Sequence, residues 1–208
     1  MLSTPTPILV ARQNDTTPAA GNKLIPVVVG GPQDTFVPNQ ISAAVGDIVQ
    51  FQFSNGNHTV TQAAQNAPCT PLDGGINSGH IPFQDGQTTV GTFNMPVTST
   101  YAMFLYCATG PHCQEGQIIV INPTDAQQVL DYTKASQSTE KSIDGTSVIG
   151  GTVAEIQLAN AAFVPAPAMA AAAGGGGAPP AAAAPAASSS SAVTAKAIQP
   201  SSITNVTG

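Results

Sequence analysis

Asp47-Ile-Val-Gln-Phe-Gln-Phe53 is the stretch on which the fold turns. Its apolar and polar residues alternate, and Val49, Phe51 and Phe53 share one face, the period of a strand with a buried side. Gly46-Asp47 before it and Ser54-Asn55-Gly56-Asn57 after it are turn signals. Outward from this strand, Ile25-Pro-Val-Val-Val29 is a β-branched run stopped by Gly30-Gly31-Pro32. Further strands are expected at Thr88 to Phe93, Thr98 to Tyr106 and Gln117 to Ile121. About seven short strands in roughly a hundred residues argue for an all-β chain built as a sandwich or barrel. Beyond them, Asp125 can cap a short helix within 124–137 with Val129, Leu130 and Thr133 on one side.

Composition divides the chain. Residues 1–23 are Thr/Pro/Asn-rich and read as a disordered arm. Residues 24–123 hold every Cys and every His and read as the folded domain. Residues 124–160 read as the helix and a connecting segment. Residues 161–208 carry Ala171 to Gly177, Ala181 to Ala184 and Ser188 to Ser191. Such side chains offer little surface to set against the entropy of ordering, so this part reads as a disordered stalk.

Charge excludes some partners. Only 8% of the 208 residues are charged, against about a quarter in ordinary domains. The net charge is −6, and 24–123 contains no Lys or Arg. Nucleic acid is therefore not an expected partner, since phosphates need clustered cations. A cationic partner is. The acidic residues Asp34, Asp47, Asp73, Asp85 and Glu115 read as turn residues on a solvated surface. No run of about 20 apolar residues is present to cross a membrane as a helix. Pro7 to Ala11 is too short for the apolar core of a secretory signal and lacks a basic flank.

The chemistry is concentrated in Tyr106-Cys107-Ala-Thr-Gly-Pro-His112-Cys113-Gln-Glu-Gly-Gln117. A thiol and an imidazole sit five positions apart across a Gly110-Pro111 turn. A second imidazole, His58, follows the Asn-Gly turn after the Val49–Phe53 strand. Two imidazoles and one thiolate are the trigonal set that copper favours in electron-transfer sites, completed by a weak axial ligand. The amide oxygen of Gln117 is available for that axial place. The plainer alternatives are a buried thiol beside a turn histidine, a surface His58, and a solvated Gln117 at a strand start. His80 reads as an exposed loop residue, with a peripheral second metal site as the alternative.

The loop resembles that of the plant phytocyanins, and of their stellacyanin type in particular, with its Cys-x4-His-Cys-x3-Gln pattern. It is closer still to fungal extracellular cupredoxin-like proteins, which share Gly46 to Phe53, Asn57-His-Thr-Val-Thr-Gln62 and Cys69-Thr-Pro-Leu-Asp-Gly-Gly75. The resemblance covers roughly 24–123. It implies a Greek-key sandwich of seven or eight strands holding one type 1 copper. It implies His58, Cys107 and His112 as the equatorial ligands and Gln117 as the axial one, where most relatives carry Met. His80 has no counterpart in that set.

With Cys107 on the metal, the three Cys resolve as one thiolate and one disulfide, Cys69–Cys113, the pairing the resemblance also implies. Cys113 adjoins His112, and neighbours in extended chain point to opposite sides. A disulfide implies an oxidising compartment, outside the cell or at its surface. Sequons at Asn14, Asn57 and Asn205 agree with this, although Asn57 abuts a ligand and is expected to be hemmed in.

The leading expectation is a secreted or wall-associated monomeric blue copper protein that carries single electrons. It is not expected to be an enzyme, because three His cannot supply the trinuclear cluster of a multicopper oxidase. No nucleophile elbow or His-Glu-x-x-His motif is present either. The alternatives are a cell-surface interaction module on an Ala/Gly/Pro/Ser stalk, wall-bound or lipid-anchored, and copper storage without electron transfer.

Overall fold

The structure is a computed structural model that describes residues 21–164. The expected arm therefore lies almost wholly outside the described residues, as do residues 165–208 of the stalk, Asn14 and Asn205. The described elements run β1 (Leu24–Gly30), β2 (Thr35–Val37), β3 (Gln40–Ile41), β4 (Ile48–Phe53), β5 (Gly56–His58), β6 (Thr61–Ala63), β7 (Ile81–Phe83), β8 (Thr89–Pro96), β9 (Met103–Tyr106), β10 (Ile118–Ile121), α1 (Ala126–Gln137) and β11 (Thr152–Gln157). A five-stranded sheet, β11-β8-β4-β1-β2, faces a four-stranded sheet, β3-β10-β9-β6. Strands β5 and β7 form a separate ribbon. The all-β sandwich is thus present, with more strands than the sequence showed.

Strand β4 is central, between β1 (parallel) and β8 (antiparallel). Its apolar face, Val49, Phe51 and Phe53, is fully buried in the core. There it joins Val27, Val29, Phe36 and Phe93. Leu105, Cys107, Ile119 and Ile121 complete the same core. The other face of β4 is also closed to water. Gln52 Nε2 donates to Gln50 Oε1 and Gln50 Nε2 to Asn94 Oδ1, both at 2.9 Å. Ala162 N donates to Gln52 Oε1 at 2.7 Å, so the chain after β11 returns over this face. Satisfied amides in a ladder can be buried without the cost of unpaired polar groups.

Alternation along β9 and β10 sorts two further layers. Phe104, Tyr106, Ile118 and Val120 point away from the sandwich core and pack under α1 against Val129 and Tyr132. Asp125 caps α1, its Oδ1 accepting from Gln128 N at 2.8 Å, as expected. The buried face differs from the expected one: Val129, Tyr132 and Ser136 are buried, while Leu130 is 54% exposed. Positions 129, 132, 133 and 136 stack along one stripe, whereas position 130 is turned about 100° from 129.

The expected domain limit at 123 also falls short. Strand β11 pairs with β8 over its whole length, from Thr152↔Asn94 to Gln157↔Thr89. Ala161 is buried, and Phe163 meets Phe83 edge-on with ring centroids 5.9 Å apart. The segment 124–160 therefore supplies an edge strand of the larger sheet, and 161–164 packs on it instead of beginning a stalk. β11 escaped notice because Thr-Val-Ala-Glu-Ile-Gln is half exposed and sits far from the other strands in sequence.

Candidate metal centre

Four side chains from four places in the chain meet at one end of the sandwich. His58 ends β5, Cys107 follows β9, His112 lies in the turn after it, and Gln117 precedes β10. Cys107 points inward because Leu105, two residues earlier, does. Its Sγ lies 3.7 Å from His58 Nδ1 and 3.5 Å from His112 Nδ1. The three ligand atoms lie within 4.8 Å of one another. Gln117 is fully buried, with Oε1 3.2 Å from His58 Nδ1. All four expected site residues are therefore brought together.

The hydrogen bonds around the cluster show what it is built to hold. His58 Nε2 donates to the carbonyl of Asn55 at 2.7 Å. A carbonyl only accepts, so in the neutral ring the proton sits on Nε2 and Nδ1 keeps its lone pair. Gln117 Nε2 reaches towards the carbonyl of Thr35 at 3.5 Å, which turns Oε1 inward. Nδ1 of His58 and Oε1 of Gln117 then face each other as two acceptors with no proton between them. Adjacent to them stands the Cys107 sulfur, which receives the Thr59 N–H at 3.4 Å. Lone pairs converging on a common point repel unless a cation lies between them. Soft sulfur with imidazole nitrogen suits copper or zinc. Nitrogen–sulfur separations of 3.5 and 3.7 Å suit one ion bonded to each at about 2.0 to 2.3 Å.

Electrostatics agree. Burial lowers the His58 pKa, with the bond to Asn55 opposing, so the ring stays neutral and able to ligate. Burial raises the Cys107 thiol, opposed by hydrogen bonds from Thr59 and Thr109. A thiolate there needs a positive charge beside it.

Sequence reasoning missed several supports. Asp34, read as a solvated turn residue, places Oδ1 3.6 Å from His58 Nε2 and Oδ2 3.9 Å from His112 Nε2. Its carboxylate faces the outer nitrogens of both rings. Gly30 packs so closely on the His58 ring that a Cβ there would lie 2.6 Å from Nε2, and its φ of +101° also calls for glycine. The Gly30-Gly31 pair was a visible signal, though one read only as a strand stop. Thr59 Oγ1 accepts the Ala108 N–H at 2.7 Å and ties the two ligand segments together. No local pattern announces Asp34 or Thr59, because their partners lie in distant strands.

The remaining expectations are also placed. Cys69 and Cys113 form a disulfide, and Cys107 is the free cysteine. His80 is exposed and outside the ligand cluster; its Nε2 meets Asp144 Oδ1 at 2.8 Å and its Nδ1 lies 3.3 Å from Thr109 Oγ1. Asn57 is exposed and not hemmed in, because it and the buried His58 point to opposite sides of β5.

No protein-family profile matches the chain. It is 35% identical over 136 residues to an "Extracellular serine-rich protein" of Arthroderma benhamiae, covering 64% of this chain and 53% of that protein. It is 34% identical over 100 residues to a "Probable GPI-anchored cupredoxin-1" of the same fungus, covering 48% and 50%. The chain thus spans about half the length of the curated relatives it matches. Among solved structures, a purple cupredoxin from Nitrosopumilus maritimus aligns at 12% identity with a TM-score of 0.33, covering 47% of this chain and 96% of that one. The sandwich, the His-Cys-His cluster and the likeness to the fungal cupredoxin over about half of each chain together support a cupredoxin-like protein.

Proposed function

We propose that this chain is an extracellular or cell-surface blue copper protein. It would hold one type 1 copper on His58, Cys107 and His112, with the Gln117 oxygen as the weak axial ligand. The observation that carries the proposal is the convergence of His58 Nδ1, Cys107 Sγ, His112 Nδ1 and Gln117 Oε1 at one place. When bound, copper would supply a one-electron couple between Cu(II) and Cu(I). The protein's part is to keep the donor atoms in one arrangement for both states. Asn55 and Thr35 orient His58 and Gln117, and the sandwich core excludes water from Cys107. His58 is fully buried, whereas the His112 side chain is 15% exposed. The His112 edge is therefore the route to a partner. Asp34 beside it, in the stretch 24–123 that has no Lys or Arg, favours a cationic one. The names of the two fungal relatives support the location, and one relative's anchor supports surface attachment. The role is that of a carrier and not of an enzyme.

Voltammetry of the copper-loaded chain tests this reading. A reversible one-electron couple is expected. In Gln117→Met the potential should rise, because a thioether favours Cu(I) more than an amide oxygen does, and in Gln117→Leu it should rise further. Absence of any reversible couple would overturn electron transfer. The same potential in all three proteins would remove Gln117 from the ligand set.

A further inference from the structure

The turn after β1 has a second side. Asp34 faces the ligand imidazoles, while its neighbours Gln33 and Thr35 line an open cleft of about 580 Å³. The cleft shares its wall with the metal centre. Gly30, which packs on the His58 ring, lines it, as does Asn55, whose carbonyl holds His58 Nε2. Whatever fills the cleft is thus one residue away from a ligand histidine.

We propose that this cleft binds a small neutral or cationic aromatic molecule carrying a hydrogen-bond donor, of the phenol or arylamine class. Its volume lies within the few hundred to a thousand cubic ångströms typical of small-molecule sites. Phe163, part-buried and edge-on to the buried Phe83, presents aromatic surface, and Val37 supplies an aliphatic wall. A flat ring meets such surfaces in the offset or edge-on geometries that aromatic pairs favour. The polar groups are few and ready. Among the described residues, the side chains of Gln33, Asn55 and Asp85 make no hydrogen bond, so each is free to meet a ligand. Asp85 can only accept when ionised, which calls for a donor on the ligand. An anion is disfavoured by Asp85 and by the absence of Lys and Arg from 24–123. The assignment does not depend on which metal, if any, occupies the neighbouring centre.

The test is titration of the full chain with 2-naphthol, followed by the protein's amide NMR spectrum, with 2-naphthoate as the anionic counterpart. Saturable shifts are expected at Thr35, Asn55 and Phe163, extending to His58 through the shared wall. Naphthoate should bind at least about tenfold more weakly, the cost of an unpaired anion beside a carboxylate. Phe163→Ala should weaken naphthol binding about three- to tenfold, the worth of one edge-on aromatic contact. Val37→Trp, at a position 55% exposed and so tolerant of a larger side chain, should fill the cleft and abolish binding. No saturable shift with millimolar naphthol would overturn the proposal. So would unchanged affinity in both variants, and equal binding of naphthoate would overturn the ligand class.

Discussion

The two faces of β9 and β10 carry side chains of similar apolarity to different ends. The inner face, with Leu105, Ile119 and Ile121, leads into the sandwich core and ends on Cys107, whose sulfur stays a thiol free for a metal. The outer face, with Phe104, Tyr106, Ile118 and Val120, lies under α1, in a cluster where Cys69 and Cys113 are oxidised to each other. His112 and Cys113 are adjacent in sequence and divided between the two sides. One turn is therefore gripped twice, by ligand atoms on one side and by a disulfide on the other. Function and stability are separable because a strand's period of two sends consecutive residues to different neighbours.

That division can be broken from either side. The largest effect is expected from Cys107→Ser, which should remove the intense visible thiolate band and weaken copper binding, because a neutral hydroxyl does not replace a thiolate. Cys69→Ala should do the reverse. It should cost about 2 to 5 kcal/mol of stability, read from chemical unfolding, while the visible band survives. Loss of the band at unchanged stability would show that the two sides are not independent. A smaller change is expected from Tyr132→Phe under α1. The buried Tyr132 hydroxyl finds no hydrogen-bond partner among the described residues. Removing it should stabilise the fold by up to about 1 kcal/mol without touching the spectrum. Destabilisation would reveal a partner for that hydroxyl. The smallest effect is expected from Asp34→Asn. Removing a half-exposed negative charge near both imidazoles should favour Cu(I) by about 1 kcal/mol or less, a slight rise in potential. A fall in potential would contradict the placement of the Asp34 carboxylate beside the rings.

What could be read in the sequence follows the same division. Alternation in Asp47–Phe53 located the central strand, and the Cys107–Gln117 segment located the three side chains that cluster with His58, because both signals are local in sequence. The two-residue and three-residue strands β2, β3, β5, β6 and β7 carry too few residues to show a period. Strand β11 is an edge whose pairing with β8 joins positions about sixty apart, and its pattern alone resembles any polar linker. The helix was placed by its cap, but its buried face was not, since Leu130 is more apolar than Ser136 and yet faces water. Asp34 reached the metal centre through a turn with a left-handed backbone at φ 45°, a tertiary arrangement without a sequence signature.

The central claim is that Cys107, His58 and His112 hold one copper ion through a thiolate. It is tested most directly by adding Cu(II) anaerobically to the full chain and recording visible and EPR spectra, with Cys107→Ser alongside. The expected result is an intense thiolate charge-transfer band and a narrow copper hyperfine splitting that saturate with one copper per chain, both lost in the Ser variant. A colourless Cu(II) complex with ordinary tetragonal EPR parameters, or a band that persists in Cys107→Ser, would contradict it.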